Sequence, residues 1–306
     1  MAHERLFAIV NPAAGGGRCG KLAGRALDRL RSAGVPLEIA WTAGPGHATE
    51  LSRDARSRGY RRFLAVGGDG TSMEILNGLF PGKADDGGRE EDGRPILAFL
   101  PLGSGNSFMR DFAPGGMDNS VKRIRAGVSR PCDVLRLTHR DGQVHFINLA
   151  TLGFPATVAR VTNLRLKGWG EMGYVLGILA SLAGPLRHTL PLRLDGKGEF
   201  DPRPCLFLAF CNTRYTGGRM LLAPDADPAD GFIEYVRWDP VGRLGLLWNL
   251  PRLLDGSHLR HPSASRASIR RADFKMEEAV PVMVDGESLT LECRSIEVLS
   301  RALDVL

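Results

Sequence analysis

An α/β domain with a parallel sheet, followed by a β-rich second domain with an antiparallel, sandwich-like sheet, is the fold class this 306-residue sequence predicts. Two observations predict it. Up to residue 131, short apolar runs alternate with helix-period segments, the pattern of parallel strands joined by right-handed helical crossovers. From Cys132 to about residue 292, short β-like segments separated by turn residues take over. The expected domains are therefore 1–131 and 132–292, with 293–306 expected to pack back on the first.

LFAIV (6–10) is the first strand, ended by Asn-Pro and a run of glycines. Residues 18–34 place Leu22, Ala26, Leu27 and Leu30 at helical spacing among basic residues, and Gly34 stops the helix. PLEIAWT (36–42) is a second strand, ATELSRDARSRG (48–59) a second helix and RFLAV (62–66) a third strand. SMEILNGLF (72–80) starts a third helix near Ser72, and PILAFLPLG (95–103) is a fourth strand. Between these two, PGKADDGGREEDGR (81–94) has the composition of an exposed loop. The later strand candidates are DVLRLTH, VHFINLATL, LPLRLDG, PCLFLAFCN, GFIEYVRW, VPVMVDGE and LTLEC, interrupted by helix-like segments at 164–186 and 240–256.

Composition narrows the function class. Forty Lys and Arg against 34 Asp and Glu leave a formal charge of +6, which suits a phosphorylated ligand or an anionic membrane surface. The charge is diffuse and no RNP-like or zinc-finger pattern accompanies it, so nucleic acid is not an expected partner. The five cysteines (Cys19, Cys132, Cys205, Cys211, Cys293) are odd in number and form no CxxC pair, which points to free thiols in a reducing cytoplasm. The apolar run in MAHERLFAIVNP is too short for a signal peptide. Tyr174 to Leu186, 13 residues without a charged side chain, falls short of the roughly 20 that span a bilayer. A soluble chain touching a membrane peripherally is expected.

The chemistry gathers in three loops. NPAAGGG (11–17), GGDGT (67–71) and GSGN (103–106) each leave the carboxyl end of a predicted parallel strand, the edge where such sheets bind ligands. Glycines let backbone N–H groups converge on an anion, and Asn11, Asp69, Thr71, Ser104 and Asn106 recur among them. One such loop is an ordinary tight turn, whereas three at one edge favour a nucleotide or polyphosphate site. The Walker A pattern GxxxxGK[ST] is absent and no strand leads into GxGxxG, so a P-loop NTPase and a dinucleotide Rossmann site lose ground.

NPAAGGG, VGGDGTSMEILNGL and PLGSGNSF, in this order, resemble the diacylglycerol kinase catalytic domain family. That family includes bacterial lipid kinases and the sphingosine and ceramide kinases, and is more distantly similar to NAD kinases and phosphofructokinases. The likeness continues through CDVLRL (132–137), FINLATLGFPATV (146–158), TGGRMLLAPDADPADGFIEYV (216–236) and MVDGESL (283–289), nearly the whole chain. It implies an NAD kinase-like first domain that binds ATP at the glycine loops, with the lipid in the cleft against the β-rich domain. The nucleotide-binding positions it implies are Asn11, Pro12, Thr42, Gly67, Gly68, Asp69, Gly70, Thr71, Ser72, Met73, Gly103, Ser104 and Asn106.

Phosphoryl transfer needs charge neutralisation and, often, a carboxylate that accepts the hydroxyl proton. Asp69 suits the ATP–Mg²⁺ end; a cap of the helix starting near Ser72 is its structural alternative. Asp285 and Glu287 are a second acidic pair, on one strand face or at a hairpin tip, and the resemblance assigns them to the proton-accepting and metal-supporting site. In PDADPADG (224–231), Asp227 and Asp230 have a spacing that wraps a hard cation, although a metal-free turn fits equally. The resemblance implies a structural Mg²⁺ held by Asp227, Asp230 and Phe232. Two departures bear on substrate: Ser107 stands where many bacterial diacylglycerol kinases of the family have an acid, and Gly16 where that group often has a base. Both weaken diacylglycerol as the specific substrate and raise sphingoid or ceramide-type lipids, without separating them.

Arg165, Lys167 and Trp169 precede a long apolar stretch, and Trp248 lies among leucines and arginines in 241–256. Such flanking suits interfacial membrane contact; core helices are the alternative. The expected activity is an ATP- and Mg²⁺-dependent lipid kinase acting on a ceramide, sphingoid base or diacylglycerol, with a homodimer allowed. The alternatives are a soluble-substrate kinase related to NAD kinase and a non-catalytic nucleotide- or lipid-binding regulator.

Overall fold

The computed structural model describes residues 5–80, 93–103, 105–112, 114–165, 170–217 and 220–306, with only the backbone of 163–165 and 170–175. The chain divides into two compact units: residues 1–133 with 301–306, and residues 134–300.

In the first unit, β1 (Leu6–Val10), β2 (Leu37–Trp41), β3 (Arg62–Gly67) and β4 (Ile96–Pro101) are all parallel, in the order β2-β1-β3-β4. The apolar residues of β1 and β3 and the four central residues of β4 are buried on both faces, as a helix-covered parallel sheet requires. Helix α1 (Arg18–Ser32) buries Cys19, Ala23, Ala26, Leu27 and Leu30, a spacing that forms one apolar stripe against the sheet. Helix α2 (His47–Ser57) and helix α3 (Asp69–Leu79) follow β2 and β3. Two helices that periodicity did not mark, α4 (Ser107–Phe112) and α5 (Gly116–Ala126), come after β4. Because β2 and β3 lie on opposite sides of β1, the loops after β1 and β3 diverge at a topological switch point, where open parallel sheets bind ligands.

The first unit closes with the end of the chain. Asp304 and Val305 pair in parallel with Ile96 and Leu97, and the Arg301 N–H donates to Asp133 Oδ1 at 2.6 Å.

The second unit is dominated by a six-stranded antiparallel sheet. Outside that sheet, strand β5 (Arg130–His139) forms an antiparallel hairpin with β6 (Gly142–Phe146). The sheet itself contains β7 (Leu149–Gly153), β8 (Phe207–Cys211), β9 (Ile233–Trp238), β10 (Ala264–Ile269), β11 (Val280–Val284) and β12 (Glu287–Leu291), in the order β10-β9-β8-β7-β11-β12. Its core gathers Leu149, Leu206, Phe207, Ala209, Val236, Trp238 and Met283. The helix-like stretch expected at 164–186 falls differently: α6 (Phe154–Arg165) begins earlier and α7 (Gly170–Ser181) follows it. The stretch at 240–256 shortens to α8 (Arg243–Asn249), because Pro251 lacks the N–H that would continue the α pattern and the chain tightens into a 3₁₀ turn over Leu250–Leu253. The five cysteines are free and buried. Among the described residues no helix is long and apolar enough to cross a membrane.

Candidate active site

The three glycine loops of the first unit interlock. The Leu102 and Gly103 N–H groups both donate to Gly67 O at 2.8 Å, and the Asn11 N–H donates to Val66 O at 3.0 Å. Gly103 packs so closely on Gly68 that a Cβ there would lie 2.3 Å from Gly68 Cα, so only glycine allows this approach. Gly15, with φ +62°, would place a Cβ 2.8 Å from Leu102 O. Its neighbours Gly16 and Gly17, also at positive φ, leave open space where their side chains would stand. Left-handed backbone bordering open space at the start of α1 is what an anion-accepting loop requires.

Side chains fasten this edge. Asn11 donates from Nδ2 to Thr71 Oγ1 at 3.1 Å and accepts the Ala13 N–H at Oδ1, so one amide joins the first and second loops. Asn106, itself at φ +49°, donates to Gly103 O at 2.9 Å and closes the third. Thr42 is buried beyond β2, its N–H bonded to Val10 O at 2.9 Å. Pro12 is half-buried beside Asn11, and Thr71, Ser72 and Met73 are buried in the first turn of α3. Ser104 lies outside the described residues.

The structural alternative for Asp69, a cap of its own helix, is not realised. Helix α3 starts at Asp69 rather than near Ser72, Gly68 is the residue before it, and no side chain caps that end. The Asp69 carboxylate reaches across to the third loop, where Oδ2 accepts the Ser107 N–H at 3.1 Å, the first N–H of α4. The acid thus joins the second loop to the third. Glu74, which the motif reading did not single out, does the same for the loop after Thr42. Its two carboxylate oxygens accept the Gly46 and Ala48 N–H groups at 2.9 and 3.1 Å, capping the start of α2. A glutamate five residues beyond Asp69, one face round the helix, was the available signal.

In the second unit, Asp285 and Gly286 are the two central residues of the turn between β11 and β12, both at positive φ (47° and 89°). That is a two-residue hairpin of the Asp-Gly kind, so the pair lies at a hairpin tip. Asp285 is buried, and its carboxylate accepts three consecutive backbone N–H groups: Ile147 at 3.1 Å, Asn148 at 3.0 Å and Leu149 at 2.9 Å. The ionised carboxylate, an acceptor at both oxygens, matches three donors. Around it Asn212 Nδ2 donates to Ile147 O at 2.8 Å, and the Thr213 hydroxyl donates to Asn148 Oδ1. Asn148, Asn212 and Thr213 are all buried, and their polarity amid apolar strand residues was the only sequence sign of this network. Glu287, the first residue of β12, is half-buried beside it.

The acidic loop between Pro224 and Gly231 folds on its own hydrogen bonds. Asp227 Oδ1 accepts the Ala229 N–H at 3.0 Å and Asp230 Oδ1 accepts the Phe232 N–H at 2.9 Å. The Arg270 guanidinium covers the Phe232 ring, 4.8 Å from its centre. No group of three or more His, Cys, Asp or Glu that could hold a metal occurs among the described residues. A cation on Asp227, Asp230 and Phe232 would therefore rest on one or two carboxylates and main-chain oxygens, ligands that suit Mg²⁺ when water completes its shell. Trp248 stands 79% exposed on α8. Lys167 and Trp169 lie outside the described residues, and of Arg165 the backbone alone is described.

Comparison with known proteins agrees with this geometry. Residues 5–137 match the diacylglycerol kinase catalytic domain family, and residues 148–306 match the YegS C-terminal NAD kinase beta sandwich-like domain. The chain is 27% identical over 287 residues to a diacylglycerol kinase of Bacillus subtilis (strain 168), covering 93% of this chain and 90% of that one. It is 31% identical over 274 residues to a protein of Chromohalobacter salexigens named "Probable lipid kinase YegS-like", covering 86% and 81%. A crystal structure of a diacylglycerol kinase from Bacillus anthracis str. Sterne superposes with a TM-score of 0.71 at 22% identity over 99% of this chain and 96% of that one, a likeness of fold.

Proposed function

The chain belongs to the diacylglycerol kinase and YegS-like family of lipid kinases, and on that premise we propose that it transfers the γ-phosphate of ATP to a hydroxyl of a membrane-derived lipid. The observation that carries the proposal is the interlocking of the three glycine loops, joined by Asn11 and Asp69 and with the third closed by Asn106, at the carboxyl edge of the parallel sheet. Asn11, Pro12, Thr42, the stretch Gly67 to Met73, Gly103, Ser104 and Asn106 hold the nucleotide. Mg²⁺ would supply charge neutralisation on the phosphates. Asp69 serves that end of the reaction.

The lipid hydroxyl oxygen forms the new bond to phosphorus, the bond to the bridging oxygen breaks, and ADP leaves. The hydroxyl proton passes to a carboxylate, and we assign it to Glu287. The three N–H groups already held by Asp285 support that choice, since a carboxylate so engaged positions the hairpin tip better than it collects a proton. Asp285 is then the positioning residue and Glu287 the base. A structural Mg²⁺ on Asp227, Asp230 and Phe232 belongs to the same proposal.

The substrate hydroxyl is that of a diacylglycerol, a ceramide or a sphingoid base, presented at a membrane surface that the chain contacts from the cytoplasmic side. Names of relatives support diacylglycerol; Ser107, in place of the family's acid, supports the sphingoid alternative. Incubation with ATP, Mg²⁺ and a panel of diacylglycerol, ceramide, sphingosine and NAD tests the reading. Phosphorylation of one of the lipids is expected. Phosphorylation of NAD alone would replace it with a soluble-substrate kinase, and no transfer at all with a regulator.

A further inference from the structure

Helix α8 divides sharply into an inner and an outer face. Leu246 and Asn249 are buried, Leu246 within the core of the second unit, and Val241, Leu250 and Leu253 pack against that core. On the other side Leu244 and Trp248, four residues apart and therefore on one helix face, are 84% and 79% exposed. Leu254, just past the 3₁₀ turn, is 60% exposed. Three large apolar side chains so exposed within eleven residues exceed the scattered apolar exposure of an ordinary surface.

Three of the four charged side chains in 243–260 are basic. Arg243, Arg252 and Arg260 are exposed around the three apolar residues. The one acid of the segment, Asp255, is turned onto its own backbone, its Oδ1 accepting the Ser257 N–H at 2.9 Å and the Ser257 hydroxyl at 2.7 Å.

We propose that residues 243–260 are a membrane-docking element that seats Leu244, Trp248 and Leu254 in the headgroup region of an anionic bilayer, with Arg243, Arg252 and Arg260 on lipid phosphates. A tryptophan with apolar neighbours and arginines at the margin is the composition of an interfacial contact. A second copy of the chain fits less well, because a two-fold contact through this face would set the arginines of one patch against those of the other. The proposal rests on the lipid-kinase reading only for its purpose: an enzyme whose substrate stays in the bilayer must reach that surface.

The test is sedimentation of the full chain with vesicles of phosphatidylcholine alone and of phosphatidylcholine with phosphatidylglycerol, without ATP or substrate lipid. The chain is expected to bind the anionic vesicles and to be released by salt. Leu244→Ser with Trp248→Ser should weaken binding about tenfold or more, and Arg252→Gln should lower the response to phosphatidylglycerol. All three side chains are exposed, so thermal unfolding should match the parent and exclude misfolding as the cause. Vesicle binding absent in the parent, or unchanged in the double variant, overturns the proposal. So does a dimer of the parent that the double variant dissolves. Since no phosphate transfer is measured, failure here leaves the kinase reading to its own assay.

Discussion

Asp69 and Asp285 are both acids at turns, yet their surroundings give them different work. Asp69 Oδ2 accepts the Ser107 N–H across two glycine loops. An amide oxygen can make that bond too, so Asp69→Asn should keep the fold while removing the charge. Transfer is expected to fall by about 10²-fold or more with little change in unfolding midpoint. Activity near that of the parent would reduce Asp69 to a brace between loops. Asp285 holds three N–H groups in a buried setting, and the amide of Asp285→Asn must turn its NH₂ toward at least one of them. A loss of about 1–3 kcal/mol in urea unfolding is expected. A change within about 0.5 kcal/mol, typical of surface substitutions, would mean the tip is not anchored through this carboxylate.

At the level of elements, the site depends on how closely the loops after β3 and β4 approach. Gly103→Ala would drive a methyl group into Gly68 Cα, where the two backbones already touch. The expected result is a folded protein whose KM for ATP rises at least severalfold, with a lowered Tm. Unchanged KM would show that the nucleotide does not depend on this juncture. The strands and helices around the site were legible because each buries an apolar face whose period is local: Leu22, Ala26, Leu27 and Leu30 announce α1, and GFIEYVRW announces β9. The anchoring of Asp285 was not legible, since it spans 136 residues to Leu149 and leaves no local pattern. Glycine loops could be read as a set, but which residue tied one to another needed the register of the strands. The start of α3 moved three residues because Gly68, extended and without a side chain, precedes the helix where a capping side chain was expected.

For the whole molecule, pH should matter through two histidines. Burial lowers the pKa of both His188 and His258 from the ordinary value of 6.5. Above that value both are neutral in folded and unfolded chains and contribute no dependence. As pH falls below it, the unfolded chain takes up protons first, so stability declines toward the lower folded values. Thermal unfolding across pH 5–8 (roughly the range in which histidines titrate) should show Tm falling on the acid side, with His258→Gln flattening the fall. A Tm that rises or stays level as pH drops below about 6.5 would contradict this sign.

The most direct measurement of the central claim is phosphate transfer from ATP to diacylglycerol, ceramide and sphingosine by the parent chain and Asp69→Asn side by side, with the product identified by mass. The account predicts a lipid phosphate monoester formed by the parent and essentially none by the variant. Equal product from both, or phosphate delivered to NAD and to no lipid, would contradict it.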